Sequence, residues 1–281
     1  VGAEEFAVVL PRSGIALRGK RSGRPDGVPV LCLHGWLDNC ASFDQLAERM
    51  PGTVDLLAVD LPGHGLSDPI PSATCHYLDY AACVLELVQD LGWQNFHLIG
   101  HSLGGALSSL VAGLHPEKIL RLVLLDAIGP LSASPADTVE AMAGYLTTYL
   151  SDTAHPVYPS RAKAVKARVQ LADILLDTAQ TLVERGLREV PGGYSWRHDV
   201  RLKRSIPRTF TEDQVRAFLR TITAPTLLVR AERTALVESF YPGRIDSVPD
   251  LRTVTVPGGH HVHMENPVPV TNAVLEFLGL G

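Results

Sequence analysis

A chain of 281 residues with 46% hydrophobic content can bury a large core and suits one domain with an insertion. Its net charge is −5 and its lysines and arginines form no single block, which disfavours nucleic acid; the basic piece from Arg161 to Arg168 reads as a solvated helix face. No apolar run reaches the length of a membrane span, the first residues lack a signal-peptide pattern, and Cys32, Cys40, Cys75 and Cys83 form no C-x-x-C pair, so a cytoplasmic protein with buried thiols is expected.

In chain order, residues 6–10 and 15–20 read as a hairpin joined by a Pro-Arg-Ser-Gly turn. A continuous apolar strand over 29–33 follows and ends in His34-Gly35-Trp36-Leu37-Asp38. A helix over 41–49 carries Phe43, Leu46 and Ala47 on one face, and a strand over 54–59 runs into Asp60-Leu61-Pro62-Gly63-His64-Gly65. After a helix over 78–91, a strand over 96–99 meets Gly100-His101-Ser102-Leu103-Gly104, which opens a long apolar helix. A strand over 120–125 then ends at Asp126.

The pattern changes after Gly129. Helical stretches over 137–150, 160–175, 176–186 and 212–222 follow, with no convincing core strand. Strands return over 225–229 and 251–256, separated by a helix over 237–244 and closed by a helix over 267–278. Eight near-continuous apolar strands alternating with helices predict an α/β fold, with a mostly parallel sheet and helices on both faces. Residues 1–129 and 223–281 form its core domain, and 130–222 a helical cap roofing the site. Tyr145, Tyr149, Tyr194, Trp196 and Phe210 are candidates for pocket lining or for packing the cap onto the sheet.

Every motif named so far sits beyond the carboxyl end of a strand, where such sheets bind ligands. G-x-S-x-G between a strand and a helix is a nucleophile elbow, with Ser102 raised on a strained turn whose glycines admit no side chains. A serine needs a base, and the base an orienting acid. Three histidines compete in Gly258-Gly259-His260-His261-Val262-His263: His260, directly after the glycines, is the expected base, His261 is expected to point to the cap or core, and His263 to pack at the last helix start. The H-H-x-H spacing also fits a metal cluster, but no carboxylate motif accompanies it, and neither metal nor cofactor is expected.

For the acid, the position four residues into Ala231-Glu232-Arg233-Thr234 holds threonine, so Asp126 is the candidate and Glu232 the alternative; both keep the order Ser, acid, His. The backbone N–H groups of Trp36 and Leu103 are the candidate oxyanion donors. His34, Trp36 and His101 are expected to line the substrate site. Asp60 and His64 are expected to hold their turn, with a catalytic role as the lesser possibility.

Together the elbow, the His34-Gly35 loop, Asp60–Ser67 and His260–Pro267 resemble the α/β-hydrolase superfamily over most of the chain outside the cap. More narrowly, Pro29-Val30-Leu31-Cys32-Leu33-His34-Gly35-Trp36-Leu37-Asp38-Asn39, Leu124-Leu125-Asp126 and Val256-Pro257-Gly258 through His263-Met264 resemble the serine hydrolase-like proteins. That resemblance implies a cofactor-independent hydrolase, and a group that also lacks the usual acid after the post-cap strand. The layout is similar to haloalkane dehalogenases and epoxide hydrolases too, but their nucleophile is an aspartate and this chain has Ser102. The expectation is a serine hydrolase of small-to-medium apolar acyl esters or thioesters, monomeric or homodimeric. Hydrolysis of lactones, amides or carbon–carbon bonds, and a non-catalytic ligand-binding homologue, are the alternatives.

Overall fold

The computed structural model describes residues 2–71, 75–151, 154–204, 210–234 and 243–280. Its strands are β1 (Glu4–Val9), β2 (Ala16–Gly23), β3 (Val28–Leu33), β4 (Val54–Asp60), β5 (Phe96–His101), β6 (Ile119–Leu125), β7 (Leu187–Val190), β8 (Gly193–Trp196), β9 (Thr226–Ala231) and β10 (Leu251–Val256). Eight of them form one sheet in the order β1-β2-β4-β3-β5-β6-β9-β10. β1 pairs antiparallel with β2, and β2 with β4, whereas every pair from β4 to β10 in that order is parallel.

Successive side chains of the central strands feed opposite cores. Leu31 and Leu33 of β3 and Leu57 and Val59 of β4 join one cluster, while Val30, Cys32, Leu56 and Ala58 join the other. That division explains the unbroken apolar runs, since neither face of these strands meets water. Helix α1 (Asp44–Ala47) is a single turn preceded by a tighter turn over Cys40–Phe43, where the sequence suggests one helix. Helices α2 (Tyr77–Asp90) and α3 (Leu103–Leu114) bury Leu87, Val88, Leu107 and Val111 in the first cluster.

Between β6 and β9 lie α4 (Thr138–Tyr149), α5 (Arg161–Ala172), α6 (Leu176–Gly186), the β7–β8 hairpin and α7 (Glu212–Arg220). The hairpin is an addition to the helical stretches read from the sequence, and it lies outside the main sheet. Its strands are only four residues each and pair with one another, too short for an alternation to show in the sequence. Trp196 packs with Val165, Leu182 and Val183 in this insertion's own cluster, which also takes in Met264 from the far end of the chain. Trp196 therefore packs the insertion, and Phe210 packs against the first sheet-face cluster. The expected helix over 237–244 falls largely outside the described residues. After β10 come the short α8 (Val262–Glu265) and the closing α9 (Pro267–Leu278). No described helix is long and apolar enough to cross a membrane.

Candidate active site

The elbow forms where β5 gives way to α3. Ser102 has φ 50° and ψ −113°, a left-handed backbone that a side-chain-bearing residue adopts only under constraint. The constraint is close packing. A Cβ on Gly100 would stand 2.3 Å from the Gly104 carbonyl oxygen, and one on Gly104 would stand 1.9 Å from the Leu33 carbonyl oxygen. With glycine at both places, α3 starts against the end of β3, and Gly104 N–H donates to the His34 carbonyl at 3.0 Å. The Ser102 side chain is left half-buried at the sheet's carboxyl edge.

Asp126 follows β6 directly and has φ 51°. It is 1% exposed, and its backbone N–H donates to the Val229 carbonyl at 2.8 Å. One carboxylate oxygen, Oδ1, accepts the Ala231 N–H at 3.0 Å; the other, Oδ2, lies 2.6 Å from His260 Nδ1. β9 is thus followed by threonine rather than an acid at 234, but its Ala231 supplies the N–H that fixes the carboxylate at the end of the neighbouring β6. Glu232 is exposed. His260 reaches this position on the Pro257-Gly258-Gly259 loop, which is held by Gly259 N–H donating to Glu265 Oε2 at 2.7 Å.

The Asp126 carboxylate accepts a hydrogen bond from His260 Nδ1–H at 2.6 Å, which leaves Nε2 of His260 as the basic nitrogen. Of the three competing histidines, only His260 contacts Asp126. His261 turns inward, with Nε2 3.1 Å from Asp38 Oδ2, and His263 is 1% exposed with its ring 4.3 Å from that of His101 and 5.4 Å from that of Phe43. Burial pushes the His263 pKa well below its ordinary value.

The candidate oxyanion donors are the N–H groups of Trp36, in the loop after β3, and of Leu103, at the start of α3. Neither donates to another group among the described residues. Trp36 is 48% exposed, with its indole N–H donating to the Leu202 carbonyl at 3.1 Å, so its ring stands at the rim beneath the insertion.

The expectation that His34 and His101 line the substrate site is corrected, because both are fully buried. His34 Nε2 accepts the Leu61 N–H at 2.9 Å, which joins the ends of β3 and β4. His101 Nε2 lies 2.9 Å from the His260 carbonyl oxygen, behind the reacting face. Asp60 holds its turn as expected: it accepts Cys40 N–H at 2.8 Å and Leu66 N–H at 2.9 Å, and pairs with Arg185 at 2.9 Å. His64 is buried, with Nδ1 3.1 Å from the Pro62 carbonyl.

Two residues at this site escape sequence reasoning. Arg168 is no solvated helix residue: it is 5% exposed and its guanidinium donates to Asp38 Oδ1. Asp38 is 2% exposed, and nothing local in the sequence signals a partner 130 residues away. Among the described residues, the ligand atoms that converge are those of Asp38, His101 and His261, within 4.8 Å of one another, rather than the H-H-x-H trio. The Arg168 guanidinium already provides the positive charge a metal ion would bring there.

Comparisons with known proteins show the family and the fold. The family model described as alpha/beta hydrolase fold matches residues 28–267. A serine hydrolase-like protein of Danio rerio is 33% identical over 293 residues, covering 98% of this chain and 88% of that one. The human serine hydrolase-like protein 2 is 30% identical over 304 residues, covering 98% and 93%. Among solved structures, a hypothetical protein of Pseudomonas aeruginosa PAO1 aligns with TM-score 0.90 and 37% identity over 99% of this chain and 98% of that one. The chain belongs to the α/β-hydrolase superfamily, among its serine hydrolase-like proteins, and is a hydrolase.

Proposed function

We propose that the protein is a serine hydrolase of carboxylic esters or thioesters with small-to-medium apolar acyl groups, acting through Ser102, His260 and Asp126. The observations that carry this reading are the 2.6 Å contact of His260 Nδ1 with the buried Asp126 and a serine held at φ 50° at the start of α3. A non-catalytic homologue would have no need to keep both. The vacancy at Thr234, its best support, is answered by the carboxylate one strand away.

In this mechanism Ser102 Oγ attacks the substrate carbonyl carbon while its proton passes to His260 Nε2. Asp126 stabilises the imidazolium through Nδ1–H and itself stays ionised. The oxyanion of the tetrahedral intermediate accepts hydrogen bonds from the N–H groups of Trp36 and Leu103, each fixed before charge develops. Collapse breaks the bond to the leaving group, which takes the proton from His260 and departs as alcohol or thiol. Water then adds to the acyl-serine, giving its proton to His260, and the second collapse returns that proton to Ser102 and releases the acid.

The insertion between β6 and β9 serves as a cap over this face, and an apolar roof suits an apolar acyl chain. The four buried, unpaired cysteines support a cytoplasmic setting. The test is hydrolysis of a chain-length series of nitrophenyl esters by the intact protein and by Ser102→Ala. A defined chain-length optimum that disappears with Ser102 is the expected result. Inactivity on every ester, or turnover untouched by Ser102→Ala, would exclude the proposal.

A further inference from the structure

Beside the triad lies a buried cluster that the acyl-transfer steps do not use. Asp38 stands two residues after Trp36. Its Oδ2 accepts a hydrogen bond from His261 Nε2 at 3.1 Å and lies 3.7 Å from His101 Nδ1; its Oδ1 accepts from Arg168 of the cap helix α5. Burial lowers the His101 pKa to about 4, so the ring is neutral at working pH. Its one proton belongs on Nε2, where it donates to the His260 carbonyl at 2.9 Å. Its Nδ1 lone pair therefore faces Asp38 without a proton between them. Burial opposes the charge of Asp38, but His261 and the Arg168 guanidinium together hold its pKa well below the usual range.

Three catalytic segments meet at this carboxylate. The first is the oxyanion loop: Asp38 N–H donates to the Gly35 carbonyl at 3.1 Å, and a Cβ on Gly35 would stand 2.7 Å from Asp38 Oδ2 and 2.9 Å from His101 Nδ1. The second is the elbow, through His101 directly before Ser102. The third is the base loop, through His261 directly after His260. The cap contributes the only guanidinium on Asp38 among the described residues, and its apolar cluster takes in Met264 of the base loop.

We propose that Arg168 and Asp38 are positioning residues, which make docking of the cap helix α5 on Asp38 a condition for assembling the oxyanion loop and the base around Ser102. This rests on the serine hydrolase reading above. Without the guanidinium, Asp38 is a buried charge facing a neutral imidazole lone pair. It must then take up a proton or turn toward water, and either change releases His261 and the Gly35–Asp38 turn. A shift of about 1 Å in such groups is enough to cost about a hundredfold in rate.

The cap has a second buried anchor that serves as a control. Arg185 of α6 pairs with Asp60 at 2.9 Å and with Glu5 at 2.7 Å, and the other partners of Asp60 are backbone N–H groups outside the three segments. The experiment compares Arg168→Met, Arg168→Lys, Asp38→Asn, the Arg168→Met/Asp38→Asn pair and Arg185→Met in the full chain. It reads kcat and KM on a nitrophenyl ester, the rate at which a fluorophosphonate labels Ser102, the thermal midpoint, and the downfield NMR resonance of His260 Nδ1–H, assigned by its loss in His260→Gln.

Arg168→Met and Asp38→Asn are expected to lower kcat and phosphonate labelling by about tenfold to a hundredfold, with KM within about threefold, and to shift the downfield resonance. The double variant is no slower than the slower single one, because both act through one contact. Arg168→Lys recovers much of the loss. Arg185→Met lowers the thermal midpoint but labels at the wild-type rate. If Arg168→Met does not fold, Asp38→Asn carries the test alone. Wild-type labelling and an unshifted resonance in Asp38→Asn, or equal slowing by Arg185→Met and Arg168→Met, would overturn the inference while leaving the hydrolase reading intact. A wild-type protein that neither labels nor turns over would remove both.

Discussion

Asp126→Asn isolates the acid from every other part of the site. The carboxylate has two fixed partners: Oδ1 accepts the Ala231 N–H at 3.0 Å and Oδ2 accepts His260 Nδ1–H at 2.6 Å. An asparagine of the same shape must place its carbonyl oxygen on the Ala231 N–H, since only that atom can accept. Its NH₂ group then faces His260 Nδ1. Two donors cannot bond, so the imidazole moves its proton to Nε2, the nitrogen that must accept from Ser102. The base is lost without moving an atom of the backbone. A triad in the wrong tautomer loses about 10⁴-fold in kcat, or about 5.5 kcal/mol of transition-state stabilisation. The assay is kcat on a short nitrophenyl ester, with circular dichroism to confirm the fold and Glu232→Gln as the parallel variant. Glu232 is exposed, so its change is expected to leave kcat within about twofold. Retention of more than a tenth of wild-type kcat by Asp126→Asn would refute the tautomer argument, and a collapse in Glu232→Gln instead would move the acid to the post-cap strand.

Two further outcomes concern stability. Gly104→Ala places a methyl 1.9 Å from the Leu33 carbonyl oxygen, against backbone that cannot swing aside, so a loss of about 3 kcal/mol is expected, read as a denaturant midpoint; an unchanged midpoint would show that α3 can move off β3. Burial lowers the pKa of His101 from its ordinary 6.5 to about 4, that of His97 to about 4 and that of His64 to about 3. The unfolded chain takes up these protons near pH 6.5 and the native chain resists until about pH 4, so stability falls as pH drops through that window, by about 1.4 kcal/mol per pH unit for each such histidine. Urea unfolding at a series of pH values checks the slope, and a flat or rising stability between pH 6.5 and 5 would contradict the neutral burial of these rings.

What the sequence made legible was local. The elbow, the strand ends and the glycine pair before His260 each carry a steric or chemical demand that two to ten neighbouring residues express. Asp126 was reachable because Thr234 is visibly not an acid and Asp126 ends the adjacent apolar run. The β7–β8 hairpin was not, since four-residue strands packed inside a helical segment leave no readable period. His34 and His101 stand close in the chain to the proposed catalytic residues, yet the turn of the backbone points them into the core, and adjacency in sequence says nothing about which side of a strand end a ring takes. Arg168 was misplaced for a related reason. Its helix is otherwise rich in exposed charge, and the one guanidinium that turns inward does so for a carboxylate 130 residues earlier. Long-range electrostatic pairing has no local signature.

The most direct test of the central claim is covalent labelling of the nucleophile. The protein is treated with a fluorophosphonate, and the adduct is located by intact mass and peptide mapping, with Ser102→Ala and His260→Gln in parallel. The account predicts one adduct per chain, on Ser102, absent from Ser102→Ala and slowed by about a thousandfold or more in His260→Gln, where no base can activate the serine. An adduct on another residue, or a Ser102 that reacts as fast without His260 as with it, would contradict the assignment of Ser102 as a nucleophile activated by His260.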